Sequence, residues 1–365
     1  MPGEVNSGEW LAYEQAKQEG TLESARVLHE GGQEDPPEET RRSIELEGVY
    51  ADSAIGAKIE ARVKAGNQPI ALFSDIDNTF YKKGEVDLSE KLDRMLTKNN
   101  WGLVYDTGRD FPMVDEQKDL PKADVVVGAV GTEIFVKKSD GNYEQDQDYR
   151  DLLLGTWDRD EVYVIAQELV DENEGLIFQP RDVPGAAERG DTDQSPQEFK
   201  ISFNIEGDHE RARQITSTIE GRLPGARVIL SQDINRPDWW NVDLLPVHAG
   251  KELAVRYLSE KLGIGGMVSG DSGNDMSMLT ESGCPGILVG NAHDHVKAEV
   301  VTLEPMASFG METRKLPNGC KISYGRKGID DAATGLMNAL RQGDLTGEDA
   351  KWFVKSFIEL SKEEE

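Results

Sequence analysis

Cysteine, histidine and positive charge are all scarce in this 365-residue chain, and each shortage narrows what it can do. The two cysteines, Cys284 and Cys320, cannot build a disulfide framework and lack the spacing of a zinc site. Among only five histidines, His248, His293 and His295 are too scattered for a dependable metal site. No serine or cysteine nucleophile with a paired base is evident. Lysine and arginine total 40 against 69 aspartates and glutamates, a formal net charge of −29. That imbalance argues against general affinity for nucleic acid or anionic membranes, which require basic patches. No apolar run is long enough to span a bilayer, and the N-terminus carries Glu and Gly where a signal peptide needs a basic then apolar stretch. A cytoplasmic enzyme is the expectation. An acidic surface of this kind is most often a solvation feature, as in salty environments. It also repels anionic substrates, so a phosphate site here requires local cations.

Residues 1 to about 67 read as an acidic extension. Gly31-Gly32-Gln33-Glu34-Asp35-Pro36-Pro37-Glu38-Glu39 breaks regular structure between two helix-like pieces, Trp10 to Arg26 and Ile44 to Val63. A mobile appendage is the expectation, with a partner-binding or lid segment as the alternative. From residue 68, short β-branched runs alternate with helical periodicity, the pattern of a parallel sheet covered by helices. The expected strands are Ile70–Asp75, Gly102–Tyr105, Ala123–Val127, Met267–Ser269 and Gly286–Val289. Leu88–Asn99 and Gly250–Leu262 are the helices between them, the second with an apolar stripe at Leu253, Ala254, Tyr257, Leu258 and Leu262. Residues 140–243 differ in texture, with helix-like Arg159–Asp171 and Asp208–Ile219, strand-like Phe199–Ile205 and Arg227–Ser231, and a Gly/Asp-rich loop over Asp182–Ser195. They read as an α+β insertion. Residues 346–365 form a tail, with one more helix expected over Lys351–Leu360.

What the chain does contain is Asp75-Ile76-Asp77-Asn78-Thr79, directly after the apolar run Pro69–Phe73. This strand delivers two carboxylates at its C-terminal end, the edge where open α/β sheets bind ligands. Like charges held at i, i+2 destabilise each other unless a cation or proton intervenes. A divalent metal resolves this, and hard oxygen ligands favour Mg²⁺. A calcium loop of the EF-hand type is excluded, because its sixth position is Phe80 rather than Gly and its twelfth is Val86 rather than Glu. Three further elements follow expected strands or open helices: Thr107-Gly108-Arg109, Lys251, and Gly270-Asp271-Ser272-Gly273-Asn274-Asp275. Taken singly, each is unremarkable: a strand ending in Thr-Gly, a solvated lysine, a capping turn. Their order and spacing together point to an active site.

As a set, these four elements resemble the haloacid dehalogenase superfamily of aspartate-nucleophile phosphatases. Phe73–Thr79, Val130-Gly131-Thr132-Glu133-Ile134, Phe199-Lys200-Ile201-Ser202-Phe203 and Asp243-Leu244-Leu245-Pro246 resemble its sucrose-phosphate phosphatases and their sugar-phosphate relatives, over about residues 68 to 345. The resemblance implies an α/β fold: a Rossmann-like parallel-sheet core from 68–139 and 244–345, with an α+β cap inserted at 140–243. It implies a phosphorylated sugar as the small-molecule partner, with Asp75 as nucleophile and Asp77 as general acid and base. Mg²⁺ falls to the Asp75 carboxylate, the Asp77 main-chain carbonyl and Asp271, with Asn274 or Asp275 in support. Thr107, the Gly108 amide and Lys251 hold the phosphoryl group. Lys200 is a candidate substrate contact, with an ordinary surface lysine as the alternative, and Trp239-Trp240 reads as cap packing rather than a sugar platform. The chain departs from the pattern at Tyr81-Lys82-Lys83, at Asp106, and at Glu252, where glycine is usual. A phosphomutase and a non-catalytic sugar-phosphate sensor are the competing functions.

Overall fold

The computed structural model describes residues 46–81, 86–183, 196–233, 236, 238–289, 291–293 and 296, with 305–308, 311–315 and 321–324 as backbone. The expected C-terminal helix, Cys320, His295, the piece from Trp10 to Arg26 and most of the Asp182–Ser195 loop lie outside the described residues.

In chain order the first elements are α1 (Ala54–Lys64), β1 (Ile70–Ser74), α2 (Val86–Lys98), β2 (Gly102–Asp106), α3 (Phe111–Asp115), β3 (Val125–Gly128), β4 (Glu133–Lys137) and β5 (Tyr143–Gln145). Then come α4 (Gln147–Leu154), α5 (Arg159–Glu172), β6 (Leu176–Phe178), β7 (Ile201–Glu206), α6 (His209–Arg222), β8 (Ala226–Gln232) and β9 (Trp239–Pro246). The chain continues through α7 (Lys251–Leu262), β10 (Gly265–Gly270), α8 (Met276–Glu281), β11 (Gly286–Leu288), β12 (Pro305–Ser308), β13 (Met311–Lys315) and β14 (Lys321–Tyr324).

Two sheets result among the described residues. The larger has the order β12-β13-β14-β11-β10-β1-β2-β3-β4-β5, and the smaller β6-β7-β9-β8. Strands β11, β10, β1, β2 and β3 pair in parallel. Their sequences are apolar on both faces because helices cover both. Ala71, Phe73, Val104, Val125 and Val127 face one cluster, and Leu72, Leu103, Tyr105 and Val126 the other. On the first face lie Ala254, Val255, Leu258 and Leu262 of α7; Leu253 and Tyr257 of the expected stripe sit at its margin. The second face is covered by Leu92, Met95 and Leu96 of α2. The chain runs from β1 outward to β2 and β3, then returns to the opposite side of β1 as β10. This places a topological switch point, where such sheets bind ligands, at the C-terminal end of β1.

Residues 46–67, expected as part of an appendage, instead pack on this core. Ser53 caps α1 by accepting from the Gly56 amide at 3.0 Å. Ile55 and Ile59, four apart on one helix face, are buried with Tyr50 against the sheet. Burying each isoleucine contributes about 1.5–3 kcal/mol. The Lys58 ammonium meets Asp124 at 2.7 Å, and the Tyr50 hydroxyl donates to Asp146 at 2.6 Å. The boundary expected at residue 140 also shifts. Strand β5 pairs with β4 in the core sheet, and Tyr143 donates to the Ala123 carbonyl at 2.6 Å.

The smaller sheet is antiparallel throughout. Ile201, Phe203, Ile205, Val242 and Leu244 of its strands are buried in one cluster with Ala166 and Leu169 of α5 and Ala212, Ile215 and Ile219 of α6. By strand alternation Ser202, Asn204, Asn241 and Asp243 occupy the opposite face. Trp240 packs on the side of the helices, stacked on His209 and donating to the Gly207 carbonyl at 3.1 Å.

Candidate active site

Asp75 extends the β1 ladder by one bond: its amide donates to the Ser269 carbonyl of β10 at 2.9 Å. The chain then turns tightly through Asn78, whose φ of 57° suits asparagine better than most residues. The Tyr81 amide closes the turn onto the Ile76 carbonyl at 2.9 Å. The Asp75 side chain is therefore fixed at the end of a central strand and is 5% exposed.

Lys251, at the first position of α7, reaches this carboxylate from a wholly buried position. Its Nζ lies 2.7 Å from Asp75 Oδ1 and 2.7 Å from Asp275 Oδ1. The second oxygen of Asp275 accepts from the amides of Asp271 and Ser272, at 3.0 and 2.9 Å, and from the Ser272 hydroxyl at 3.1 Å. Asp275 thus ties the loop after β10 to the lysine. Asn274 accepts from the Ser272 hydroxyl at 2.8 Å and lies against Gly108, where an added Cβ would stand 3.5 Å from its Nδ2.

Ligand oxygens of Asp75, Asp271 and Asp275 all lie within 4.8 Å of one another. Burial pushes the Asp75 carboxyl up to about 7; Lys251 opposes the shift, and Asp275 and Asp77 add to it. Burial likewise drives Asp271 well above the ordinary carboxylate range, with Asp75 and Asp275 reinforcing it. Burial alone would lower the Lys251 ammonium, but Asp275 and Asp75 more than offset it and hold it above its usual value. One ammonium faces three carboxylates, so the cluster has room for further positive charge. Asp271 Oδ2 is buried without a hydrogen-bond partner among the described residues. Three hard oxygen donors, one of them orphaned, fit a Mg²⁺ ion.

Asp77 is held apart from this cluster. Arg109 binds it in a bidentate pair, Nε to Oδ2 at 2.8 Å and Nη2 to Oδ1 at 2.5 Å. Gln117 accepts from Arg109 at 3.4 Å and also bonds Tyr81 and Asp119, so the departure at Tyr81 belongs to the scaffold behind Asp77. Thr107 is buried, with its amide on the Val127 carbonyl at 2.9 Å. Its Oγ1 accepts from the Arg109 amide at 3.2 Å, which leaves the hydroxyl proton to be donated outward.

A strained turn joins these parts. Ala129, Val130 and Gly131 have φ of 51°, 64° and 82° in succession. A β-branched residue in the left-handed region costs about 1–3 kcal/mol, a strain found mostly at functional sites. The turn packs on the start of α7: a Cβ on Gly131 would stand 2.3 Å from the Gly250 carbonyl carbon. Tyr149 holds it by donating to the Gly131 carbonyl at 2.7 Å.

The structure thus brings together Asp75, Asp271, Asp275 and Lys251, with Asn274 beside Gly108 and Arg109 joining the Thr107 loop to Asp77. Lys200 stands immediately before β7 of the smaller sheet, 7% exposed, with its Nζ 3.6 Å from Asp243 Oδ1. Three residues were not singled out from sequence. Arg109 and Glu133 appeared only as parts of motifs, and Arg181 carried no sequence signal for the contact it makes. The Arg181 guanidinium meets Asp110 at 2.8 Å, linking the segment after β6 to the loop after β2. Glu133 accepts from the Phe111 amide at 2.6 Å, and burial raises its carboxyl to about 7.

A model of the sucrose-6F-phosphate phosphohydrolase family matches residues 68–306. Sucrose-phosphatase 1 of Nicotiana tabacum is 29% identical over 212 residues, covering 54% of this chain and 44% of that protein. Mannosylfructose-phosphate phosphatase of Agrobacterium fabrum is 28% identical over 205 residues, covering 52% of this chain and 69% of that protein. The chain therefore spans less than half the length of the plant relatives it matches. Among solved structures, the sucrose-phosphatase of Synechocystis in complex with sucrose and phosphate superposes with a TM-score of 0.56 at 25% identity. That match covers 77% of this chain and all of the other. With more than half of its length matched by the family model, the chain belongs to the sucrose-6F-phosphate phosphohydrolase family of the haloacid dehalogenase superfamily.

Proposed function

We propose that the protein hydrolyses the phosphate monoester of a sugar, sucrose 6-phosphate or a related glycosyl phosphate, with Mg²⁺ and through an aspartyl-phosphate on Asp75. The observation that carries this is the buried cluster of Asp75, Lys251, Asp271 and Asp275 at the switch point of a parallel sheet. A phosphate monoester resists an anionic nucleophile, so its oxygens must be neutralised and its leaving group protonated.

Asp75, Asp271 and the Asp77 carbonyl would hold Mg²⁺, with Asn274 or Asp275 in support. When bound, the ion supplies charge neutralisation at the phosphoryl oxygens. Lys251 adds a second positive charge beside Asp75, and Thr107 and the Gly108 amide offer donors from the neighbouring strand end. Asp75 attacks phosphorus in line with the sugar oxygen, which departs with a proton from Asp77. Asp77 then takes a proton from the water that attacks the aspartyl-phosphate. Arg109 engages both Asp77 oxygens, so this contact must loosen for Asp77 to reach the sugar oxygen. Lys200 and the polar face of the smaller sheet supply the sugar contacts in this scheme, with residues 155–246 as the cap.

The test is inorganic phosphate release over a panel of sugar phosphates, with Mg²⁺ and with chelator. Release from sucrose 6-phosphate or a close relative, abolished by chelator and independent of any bisphosphate activator, is expected. A panel without turnover sinks the proposal, and dependence on a bisphosphate indicates a mutase.

A further inference from the structure

Glu252 directly follows Lys251 and stands where the family resemblance leads one to expect glycine. In the structure it is 2% exposed, in the first turn of α7, and it forms an ion pair with Arg227 of β8. Arg227 lies opposite Leu245 of β9, the strand that leads back to α7. The pair therefore spans from the base of the smaller sheet to the helix that bears the lysine.

Two observations give this contact meaning. The first is steric. The Arg227 guanidinium covers Gly250 so closely that a Cβ there would stand 2.7 Å from Nη1. The strained turn at Gly131 also packs on this peptide. The backbone that delivers Lys251 is thus in close contact with both the core turn and the cap strand. The second is electrostatic. Lys251 already serves Asp75 and Asp275, and Asp106 lies fully buried with neither oxygen hydrogen-bonded among the described residues. Glu252 adds another acid whose Oε2 has no partner among the described residues. A buried carboxylate without a counter-ion would compete for the lysine's charge.

We propose that Arg227 is a positioning residue for phosphate binding: it covers Gly250 directly and neutralises Glu252, which leaves the charge of Lys251 available to the phosphoryl group. This rests on the phosphatase reading for its catalytic meaning, but its first test is binding. Inorganic phosphate is titrated into the full chain by calorimetry at saturating Mg²⁺, using wild type, Arg227→Met, Glu252→Gln and the double variant, with thermal melts alongside.

Arg227→Met is expected to weaken phosphate by about tenfold or more, the scale of one partly screened charge contact, and to lower kcat similarly. Glu252→Gln removes the competing acid and retains the cation, so its affinity stays within about threefold of wild type. The double variant recovers part of the loss of Arg227→Met, because no unpaired charge remains. A merely structural tie would lower the melting temperatures and leave phosphate affinity unmoved. That result, or a double variant no better than Arg227→Met, overturns the proposal. Wild type that binds phosphate yet releases none from any sugar phosphate fails the phosphatase reading alone.

Discussion

Replacing Asp75 with asparagine separates what the site needs for chemistry from what the fold tolerates. Asp75, Asp271 and Asp275 share one small volume with a single ammonium, so each carboxylate is bound at the expense of the others. The Asp75 carboxyl rises from 3.8 to about 7, chiefly through burial. A folded-state value above the unfolded one costs nothing below about pH 4, and the cost grows until pH passes the folded value. At about 1.4 kcal/mol per pH unit this bounds the penalty at about 4 kcal/mol above pH 7. That shift already contains the opposing contact with Lys251, and imperfect hydrogen bonding of the substituted amide takes part of the gain back. Asp75→Asn should therefore be more stable than wild type by about 1–3 kcal/mol at pH 8 in chelator, and the gain should shrink toward pH 4. Urea unfolding across that range measures it. Added Mg²⁺ should reverse the order by binding the wild type more tightly. Phosphate release should fall to background at every pH. An Asp75→Asn variant less stable than wild type at pH 8 in chelator would refute the reasoning, because the acids would then not be in conflict.

Three further outcomes follow from contacts already described. Arg109→Gln breaks the bidentate hold on Asp77 and should lower kcat about 10–100-fold with little change in KM, since it disturbs the proposed proton carrier rather than substrate binding. Lys200→Met should raise KM about tenfold and leave kcat within about threefold; a fall in kcat alone would remove Lys200 from the sugar site. Glu133 rises from 4.5 to about 7 through burial, so its contribution to stability is present at low pH and is lost as pH rises through 7. Glu133→Gln should flatten the decline between about pH 4.5 and 7 by about 1–2 kcal/mol, after allowance for partial exposure, as read from denaturant melts; an unchanged slope would show that Glu133 does not titrate in that window.

The core motifs were legible because their spacing encodes chemistry locally: Asp75 and Asp77 end one strand, Asp271 to Asp275 follow another, and Lys251 opens a helix. The sheet was legible because its parallel strands are apolar on both faces. What the sequence concealed depends on pairing at long range. Arg109 finds Asp77 32 positions away, and Tyr50 finds Asp146 96 positions away. No periodicity announces such partners. Glu252 was visible as a departure, but its contact rests on Arg227, 25 positions earlier on a strand of the smaller sheet. The run of negative charge around residues 34–39 concealed the packing of residues 46–67, because acidic composition describes solvation and not what one buried helix face contacts.

That packing bears on where the chain can be cut. The family match begins at residue 68, yet Tyr50, Ile55 and Ile59 seal one face of the central sheet, and Arg62 donates to the carbonyls of Gln68 and Asn99. Shared ancestry and cooperative folding draw the border in different places. A chain started at residue 68 would keep every motif of the candidate site yet lose the cover over β2, so it would be less stable for reasons unrelated to its chemistry.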